Sequence, residues 1–209
     1  MDKTYHIFAP GRTEIGGNHT DHQHGRVLAA AVDMETTAEV TLNGTNIIRV
    51  DSAGYRPVEI DLSALTIREE EKNTTAALIR GVAAAFQQRG YKLSGFDAKV
   101  KSTVLPGSGL SSSAAFEVLI GRILNGLFAD NAVSVIEIAQ IGQYAENVYF
   151  SKPSGLMDQM ASSVGGLVFI DFADPKRPIV EKIDHDFAHC GYTLCIIDSG
   201  ADHADLTAE

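Results

Sequence analysis

The stretch Leu105–Val118, LPGSGLSSSAAFEV, joins a predicted strand to a helix through a glycine-rich turn. Residues 96–104 alternate apolar and polar side chains, which predicts a β-strand leading into the turn. Residues 112–127 carry the pattern of a long helix. Glycines let the backbone approach a ligand closely, and unpaired N–H groups at a helix start attract anions. The stretch therefore predicts a phosphate-binding loop.

Eight consecutive residues are the predicted phosphate ligands. They are Pro106, Gly107, Ser108, Gly109, Leu110, Ser111, Ser112 and Ser113. The loop differs from the G-x-x-x-x-G-K-[ST] type because the lysine of that pattern is absent. The alternative is an ordinary Gly–Ser turn with a serine N-cap. The order of strand, two glycines, three serines and helix favours phosphate binding.

Elements on both sides of this loop predict an α+β fold with a mixed sheet. Strands are predicted at 4–9, 26–32, 35–42, 46–52, 57–62, 96–104, 167–172 and 192–198, and helices at 74–89, 112–127, 134–149 and 156–164. The strands and helices mix without a strict βαβ alternation, which is typical of α+β domains. The pattern shows no internal repeat and no low-complexity linker.

Composition limits the partners. The net charge is −10, and lysines and arginines are scattered. A nucleic-acid interface needs a basic stripe, so neither nucleic acid nor an anionic membrane is an expected partner. No apolar run reaches the roughly 18 residues of a membrane helix. The two cysteines, Cys190 and Cys195, do not predict a disulfide framework, and we expect a cytoplasmic protein.

A second unusual stretch is GGNHTDHQHG, residues 16–25. It holds His19, His22 and His24 together with Asp21, and a metal hydrolase is one hypothesis for such a cluster. Zinc sites draw ligands from characteristic spacings, such as H-E-x-x-H on a helix. The three histidines follow no such spacing, so this alternative is not favoured.

Three motifs in order resemble one known family. LPGSGLSSSAA is similar to the phosphate loop of the GHMP kinases, which are small-molecule kinases. APGRTEIGGNHTDH resembles the galactokinase signature G-R-x-N-x-I-G-E-H-T-D-Y within that superfamily, and SGLMDQMAS resembles the galactokinase segment that carries the catalytic aspartate. The resemblance implies the superfamily's N-terminal domain, a ribosomal-protein-like two-layer fold, over residues 1–209. The superfamily's C-terminal glycine-rich motif is missing, so we expect the C-terminal domain to lie outside this chain and these residues alone to be inactive.

The resemblance implies an ATP- and Mg²⁺-dependent sugar kinase, and it assigns catalytic and metal-binding roles. Asp158 matches the catalytic aspartate, which takes the proton of the sugar hydroxyl or only orients that hydroxyl. Arg12 matches the arginine beside it, whose charge keeps the carboxylate ionised. Glu146 matches the Mg²⁺ ligand, with Ser112 or Ser113 as the serine ligand. The family's adenine-binding tryptophan has no counterpart, because the chain contains no Trp.

The sugar side of the site is also implied by the resemblance. His19 and Asp21 match sugar-contacting residues, and Gly155 is expected to bring its backbone close to the sugar. Asn18 stands where the signature has a sugar-contacting glutamate, and Glu14 stands where it has asparagine. We therefore expect phosphorylation of galactose at its anomeric hydroxyl, or phosphorylation of a different sugar. A non-catalytic sugar and ATP sensor is a further alternative, but the intact loop and Asp158 favour an enzyme.

Overall fold

The computed structural model describes residues 3–185 and 187–197. Within these residues, seven strands and four α-helices form the fold. The strands are β1 (Thr4–Gly16), β2 (Arg26–Leu42), β3 (Ile47–Ser52), β4 (Val58–Asp61), β5 (Phe96–Ser102), β6 (Leu167–Asp171) and β7 (Ile179–Ile183). The helices are α1 (Thr75–Gln88), α2 (Ser112–Phe128), α3 (Val135–Tyr144) and α4 (Met157–Val164), and a π-helical turn (Ala145–Phe150) continues α3.

The strands form a single mixed sheet organised around β2. β1 runs antiparallel along one edge of β2. On the other edge, β5 pairs with residues 36–42 and β6 pairs with residues 26–30. β3 pairs parallel to β5, whereas β4 and β7 extend the two ends antiparallel. The mixed α+β fold expected from the sequence is confirmed.

The helices cover one face of this sheet. On β5, Phe96, Ala98 and Val100 are buried while the residues between them are exposed, as expected when only one face packs against helices. The buried residues of α1 and α2 complete the main core, including Phe86 and Leu119. Burying each such large apolar side chain stabilises the fold by about 1.5–3 kcal/mol. The structure is therefore two-layered, with the site at one end of the helical layer.

Several element boundaries differ from those predicted. The strands expected at 26–32 and 35–42 are one strand, β2, because a register shift in its pairing with β1 lets the ladder continue past the exposed Asp33. The helix expected over 134–149 changes to π geometry after Tyr144. The strand expected at 192–198 is wrong, since residues 192–197 have no regular structure, and Asp198 lies outside the described residues. β7 was not predicted.

The described part of the chain contains no candidate membrane-spanning helix. None of the helices within residues 3–185 and 187–197 has the length and hydropathy needed to cross a bilayer.

Candidate active site

Arg12 and Asp158 meet at the centre of the site. Arg12 lies on β1 and is 7% exposed, and Asp158 lies in the first turn of α4. The Arg12 Nε donates a hydrogen bond of 2.7 Å to Asp158 Oδ1, and Nη1 donates one of 2.6 Å to the Gly109 carbonyl. The backbone N–H of Arg12 also donates to the Leu110 carbonyl at 3.1 Å. One arginine thus joins the phosphate loop to the predicted catalytic aspartate.

Ser111 provides the second contact to Asp158. Its hydroxyl donates a short hydrogen bond to Asp158 Oδ2. Ser111 adopts a left-handed conformation (φ 58°, ψ 63°) immediately before α2. This conformation is uncommon for a residue with a side chain, and it places the hydroxyl over α4. Ser111 was predicted as a phosphate ligand, and in the structure its hydroxyl bonds to Asp158, the predicted catalytic aspartate.

Opposing effects set the pKa of Asp158. Burial raises the pKa of this carboxyl, but the hydrogen bond and charge of Arg12 and the hydrogen bond from Ser111 lower it by more. The net pKa lies below the usual value for aspartate, so Asp158 is ionised at neutral pH. An ionised carboxylate can accept a hydrogen bond from a hydroxyl, which suits a group that orients this hydroxyl or takes its proton.

Glu146 and Ser113 form an oxygen-rich corner beside the loop. Glu146 is 2% exposed and lies in the π-helical turn. Ser113 Oγ donates to Glu146 Oε1 at 3.0 Å, and Lys152 Nζ lies 3.2 Å from the same oxygen. Carboxylate and hydroxyl oxygens suit Mg²⁺, which also binds waters and phosphate oxygens. Of the two candidate serines, Ser113 is therefore the one joined to the predicted metal ligand.

The other loop residues have diverse surroundings. Ser108 is exposed, and its hydroxyl donates to the Leu105 carbonyl at 2.6 Å. Leu110 is buried in a small apolar cluster with Val104 and Ala115. Pro106 and Ser112 line a cavity next to the loop. The loop side chains predicted to bind phosphate therefore divide into cavity-lining, packing and hydrogen-bonding groups.

This cavity was not predicted. It measures about 410 Å³ and lies between β5, α1 and the start of α2. Its lining includes apolar side chains from several segments, namely Tyr55, Leu78, Leu105, Phe116 and Phe150. The family's sequence signal for adenine is a tryptophan, which this chain lacks. Three aromatic residues line the cavity instead: Phe116 lies within the stretch that predicted the phosphate loop, whereas Tyr55 and Phe150 come from other segments.

The loop after β1 has an unusual backbone. Gly17, Asn18 and His19 have positive φ angles of 126°, 60° and 51°. The two oxygens of Glu14 accept the backbone N–H of His19 at 3.0 and 3.2 Å, and this carboxylate also lies 3.4 Å from the imidazole of His19. Asn18 is exposed at the tip. The departure from the signature at position 14 therefore supplies a carboxylate that stabilises the loop.

Asp21 reaches from this loop to the start of α4. Its Oδ2 accepts the backbone N–H of Met157 at 3.2 Å. A Cβ atom on Gly155 would lie 1.8 Å from that oxygen, so position 155 requires glycine to admit the Asp21 carboxylate. Asp21 Oδ1 is buried, and among the described residues it has no hydrogen-bond partner. An unpaired buried acceptor is costly, and a ligand hydroxyl would satisfy it.

The histidines do not form a cation site. Within residues 3–185 and 187–197, no three His, Cys, Asp or Glu side chains converge into a group that would hold a metal ion. His19 contacts Glu14, and His22 lies 4.0 Å from Asp21 Oδ1. The metal-hydrolase hypothesis therefore finds no ligand set in the loop that suggested it.

Known proteins share both the fold and the motifs. The family model of the GHMP kinases N-terminal domain matches residues 77–166, and that of the galactokinase galactose-binding signature matches residues 2–42. The galactokinase of Streptomyces coelicolor is 33% identical over 204 residues, covering 96% of this chain and 52% of that protein. The galactokinase of Bacillus subtilis is 37% identical over 161 residues, covering 76% and 41%.

Solved structures agree with these matches. The galactokinase of Lactococcus lactis complexed with galactose superposes with a TM-score of 0.78 at 27% identity, covering 87% of this chain and 48% of that one. The mevalonate kinase of Methanococcus jannaschii shares the fold, with a TM-score of 0.72 at 18% identity and coverage of 90% and 58%. The chain spans about half the length of the curated relatives that it matches.

Fold and motifs together define an N-terminal domain of the small-molecule kinase class, with the Gly–Ser loop between β5 and α2. The chain belongs to the GHMP kinase superfamily, and within it to the galactokinase-like proteins. The family predicted from the sequence motifs is confirmed.

Proposed function

We propose that the protein is a galactokinase-like sugar kinase, which transfers the γ-phosphoryl group of ATP to a hexose hydroxyl. The first candidate acceptor is the anomeric hydroxyl of galactose. The observation that carries this proposal is the hydrogen-bonded contact of Asp158 with Arg12 and Ser111. This contact brings a carboxylate, a fixed cation and the phosphate loop together, as phosphoryl transfer requires.

The nucleotide belongs on the α2 side of the contact between Asp158, Arg12 and Ser111. The 410 Å³ cavity suits a nucleoside, because aromatic and apolar side chains line it and it opens beside Ser112 and Ser113. The N–H groups at the start of α2 would then face the phosphates. Glu146 and Ser113 would hold Mg²⁺, which neutralises charge on the phosphate oxygens when bound.

The sugar belongs on the β1 side. Asp158 would accept a hydrogen bond from the reacting hydroxyl and orient it towards the phosphoryl group. Arg12 would balance the negative charge that develops during transfer. Asp21 Oδ1, which accepts no hydrogen bond from the described residues, would accept a second sugar hydroxyl. Each residue thus has one role: Asp158 orients the attacking hydroxyl, Arg12 balances the developing charge and Asp21 binds the sugar.

Preference for a sugar other than galactose is the second candidate. Asn18 both donates and accepts hydrogen bonds, whereas the signature glutamate only accepts them. Glu14 supplies a carboxylate in the same loop, but this carboxylate binds the backbone N–H of His19. A site built to hydrogen-bond one pattern of sugar hydroxyls rejects a sugar that lacks one of them, because a buried polar group is then left unpaired. The exchange of residue types at positions 14 and 18 therefore favours a changed sugar preference.

A second domain is part of the same proposal. The relatives are about twice as long as this chain, and we propose that residues 1–209 form the N-terminal half of the kinase. Phosphoryl transfer by these residues alone should be weak or absent. A comparison of turnover by the 209 residues and by the full-length protein tests this point, and equal turnover would contradict it. A cytoplasmic location stays a prediction from the cysteine content.

The decisive experiment measures ADP formation by the full-length protein with ATP, Mg²⁺ and a panel of hexoses and sugar acids. Activity on galactose supports the first candidate, and activity on another sugar supports the second. Product analysis by ³¹P NMR identifies the phosphorylated hydroxyl. A folded full-length protein that binds sugar and ATP without forming ADP would contradict kinase activity and support the sensor alternative.

A further inference from the structure

A buried polar cluster includes the predicted metal ligand, and the proposed mechanism gives its other two members no role. Its members are Glu117 on α2, Gln159 on α4 and Glu146 in the π-helical turn. Their exposed fractions are 0%, 0% and 2%. Polar side chains this deeply buried are costly unless they are hydrogen-bonded, so the way they pair indicates what they do.

Gln159 connects the two carboxyl groups. Its Nε2 donates to Glu146 Oε2 at 2.8 Å and to Glu117 Oε2 at 3.0 Å. The other Glu146 oxygen, Oε1, faces the site, where it meets Ser113 and Lys152. Gln159 therefore binds Glu146 Oε2 on the interior side, which leaves Oε1 directed towards Ser113 and the site.

We infer that Gln159 is a positioning residue that orients the Glu146 carboxylate for the metal–nucleotide complex, with Glu117 as its anchor. The inference rests on the proposed function, because it takes Glu146 as the Mg²⁺ ligand. When one oxygen of a carboxylate binds a metal ion, hydrogen bonds to its other oxygen fix the rotation of the carboxylate and tune its affinity for the ion.

The position of Glu117 supports the role of an anchor. It lies four residues after Ser113 on α2, so the same face of one helix supplies the loop serine and the acceptor for Gln159. Burial raises the pKa of Glu117 well above its usual value, and the charge of Glu146 raises it further. The raised pKa favours the uncharged form of Glu117, which reduces the repulsion between two carboxyl groups on either side of one amide.

Packing fixes the amide in place. A Cβ atom on Gly142 of α3 would lie 3.2 Å from both Gln159 Cγ and Glu117 Cβ, so α3 closely confines these two side chains. Gln159 also follows Asp158 directly on α4. The first turn of α4 thus positions the predicted hydroxyl-orienting group with one residue and the predicted metal ligand with the next.

The test measures the affinity of the full-length protein for a non-hydrolysable ATP analogue, with excess Mg²⁺ and with EDTA. Gln159→Met removes the donor at similar size. We expect it to weaken binding about tenfold in Mg²⁺, in line with other outer partners of metal ligands, and to leave binding in EDTA unchanged. Gln87→Met is the matched control, since the Gln87 amide donates to the Leu62 carbonyl from α1. It should change neither affinity.

Two substitutions of Glu117 provide an independent measurement. Glu117→Gln keeps an acceptor for Gln159 and should retain Mg²⁺-dependent binding, whereas Glu117→Leu should lose part of it. Thermal unfolding identifies variants that fail to fold, and the affinities of the two variants are compared once both are shown to be folded.

The possible results separate the inference from the function. Equal weakening of binding by Gln159→Met with and without Mg²⁺, or no weakening at all, would overturn the positioning role while leaving the kinase proposal intact. Wild-type binding that does not depend on Mg²⁺ would overturn the metal assignment of the proposed function, and the inference with it.

Discussion

Asp158 and Glu117 are two carboxyl groups beneath the same loop, yet their pKa values move in opposite directions. Both are penalised by burial, but Asp158 has Arg12 and a serine hydroxyl as partners and its pKa falls. Glu117 has a neutral amide as its partner and a negative charge nearby, so its pKa rises. The partner therefore decides the charge of each group. The anionic form is favoured for Asp158, and the neutral acid form is favoured for Glu117.

Asp158→Asn should cause the largest loss of activity, because it removes the carboxylate that remains ionised. The amide removes the negative charge and leaves Arg12 without its ion-pair partner. We expect kcat of the full-length kinase to fall by about 10²–10⁴-fold, the range for loss of such a group, while the fold persists. Steady-state kinetics measures the loss, and circular dichroism serves as the folding control. A kcat near that of the wild type would refute the assigned role.

Arg12→Met should reduce the difference between the pKa values of Asp158 and Glu117. Without the guanidinium, the pKa of Asp158 should rise, because burial then acts with less opposition. The role proposed for Asp158 needs its ionised form, so activity should be lost as the pH falls through the pKa of Asp158. The acidic limb of the kcat/KM profile should therefore move to higher pH, with kcat lower by about 10²-fold. An unmoved acidic limb would show that Arg12 does not control this carboxylate. Arg49→Met is a matched control, since Arg49 pairs with Glu59 on the sheet.

Gly155→Ala changes the geometry of the site without changing its charge. The new methyl group would overlap Asp21 Oδ2 and displace the carboxylate predicted to bind the sugar. We expect the KM for sugar to rise about tenfold, with a smaller change in the KM for ATP, because one lost hydrogen bond to a charged group is worth about 1.5–3 kcal/mol. Gly165→Ala at the C-cap of α4 controls for general destabilisation. Equal rises in both KM values would argue against a sugar-specific role.

The sequence predicted the local parts of this site better than the contacts between them. The strand, glycine turn and serine-led helix around Leu105–Val118 follow from neighbouring residues, and the structure contains all three. The pairing of Arg12 with Asp158 spans 146 positions, and only the family resemblance suggested it. Residue spacing within one element indicates its buried face, but not which distant element covers that face.

The unpredicted features depend on such distant packing. Gln159 meets Glu117 across 42 positions, and the cavity residue Tyr55 comes from a turn without a motif. The π-helical turn that carries Glu146 has the composition of an ordinary helix end. Residues 192–197 show the reverse case, because no strand within residues 3–185 and 187–197 pairs with this short apolar run, and an unpaired run does not form a ladder.

Glu117→Gln should have the smallest effect, and its dependence on pH is distinctive. The pKa of Glu117 is raised in the folded protein above its ordinary value of 4.5. Above about pH 4.5 the unfolded chain loses this proton while the folded chain keeps it. The wild type therefore loses stability as the pH rises towards the folded pKa. Glutamine carries no such proton, so the variant should gain stability relative to the wild type as the pH increases.

At pH 8 we expect the variant to unfold at a higher temperature than the wild type, and at pH 4 at nearly the same temperature. Thermal unfolding at both pH values measures the difference. Glu137→Gln provides the contrast, because hydrogen bonds from Ser134 lower the pKa of Glu137 in the capping box of α3. That variant should lose stability relative to the wild type at pH 8. A gain from Glu117→Gln that is equal at both pH values would mean that Glu117 is not a buried acid.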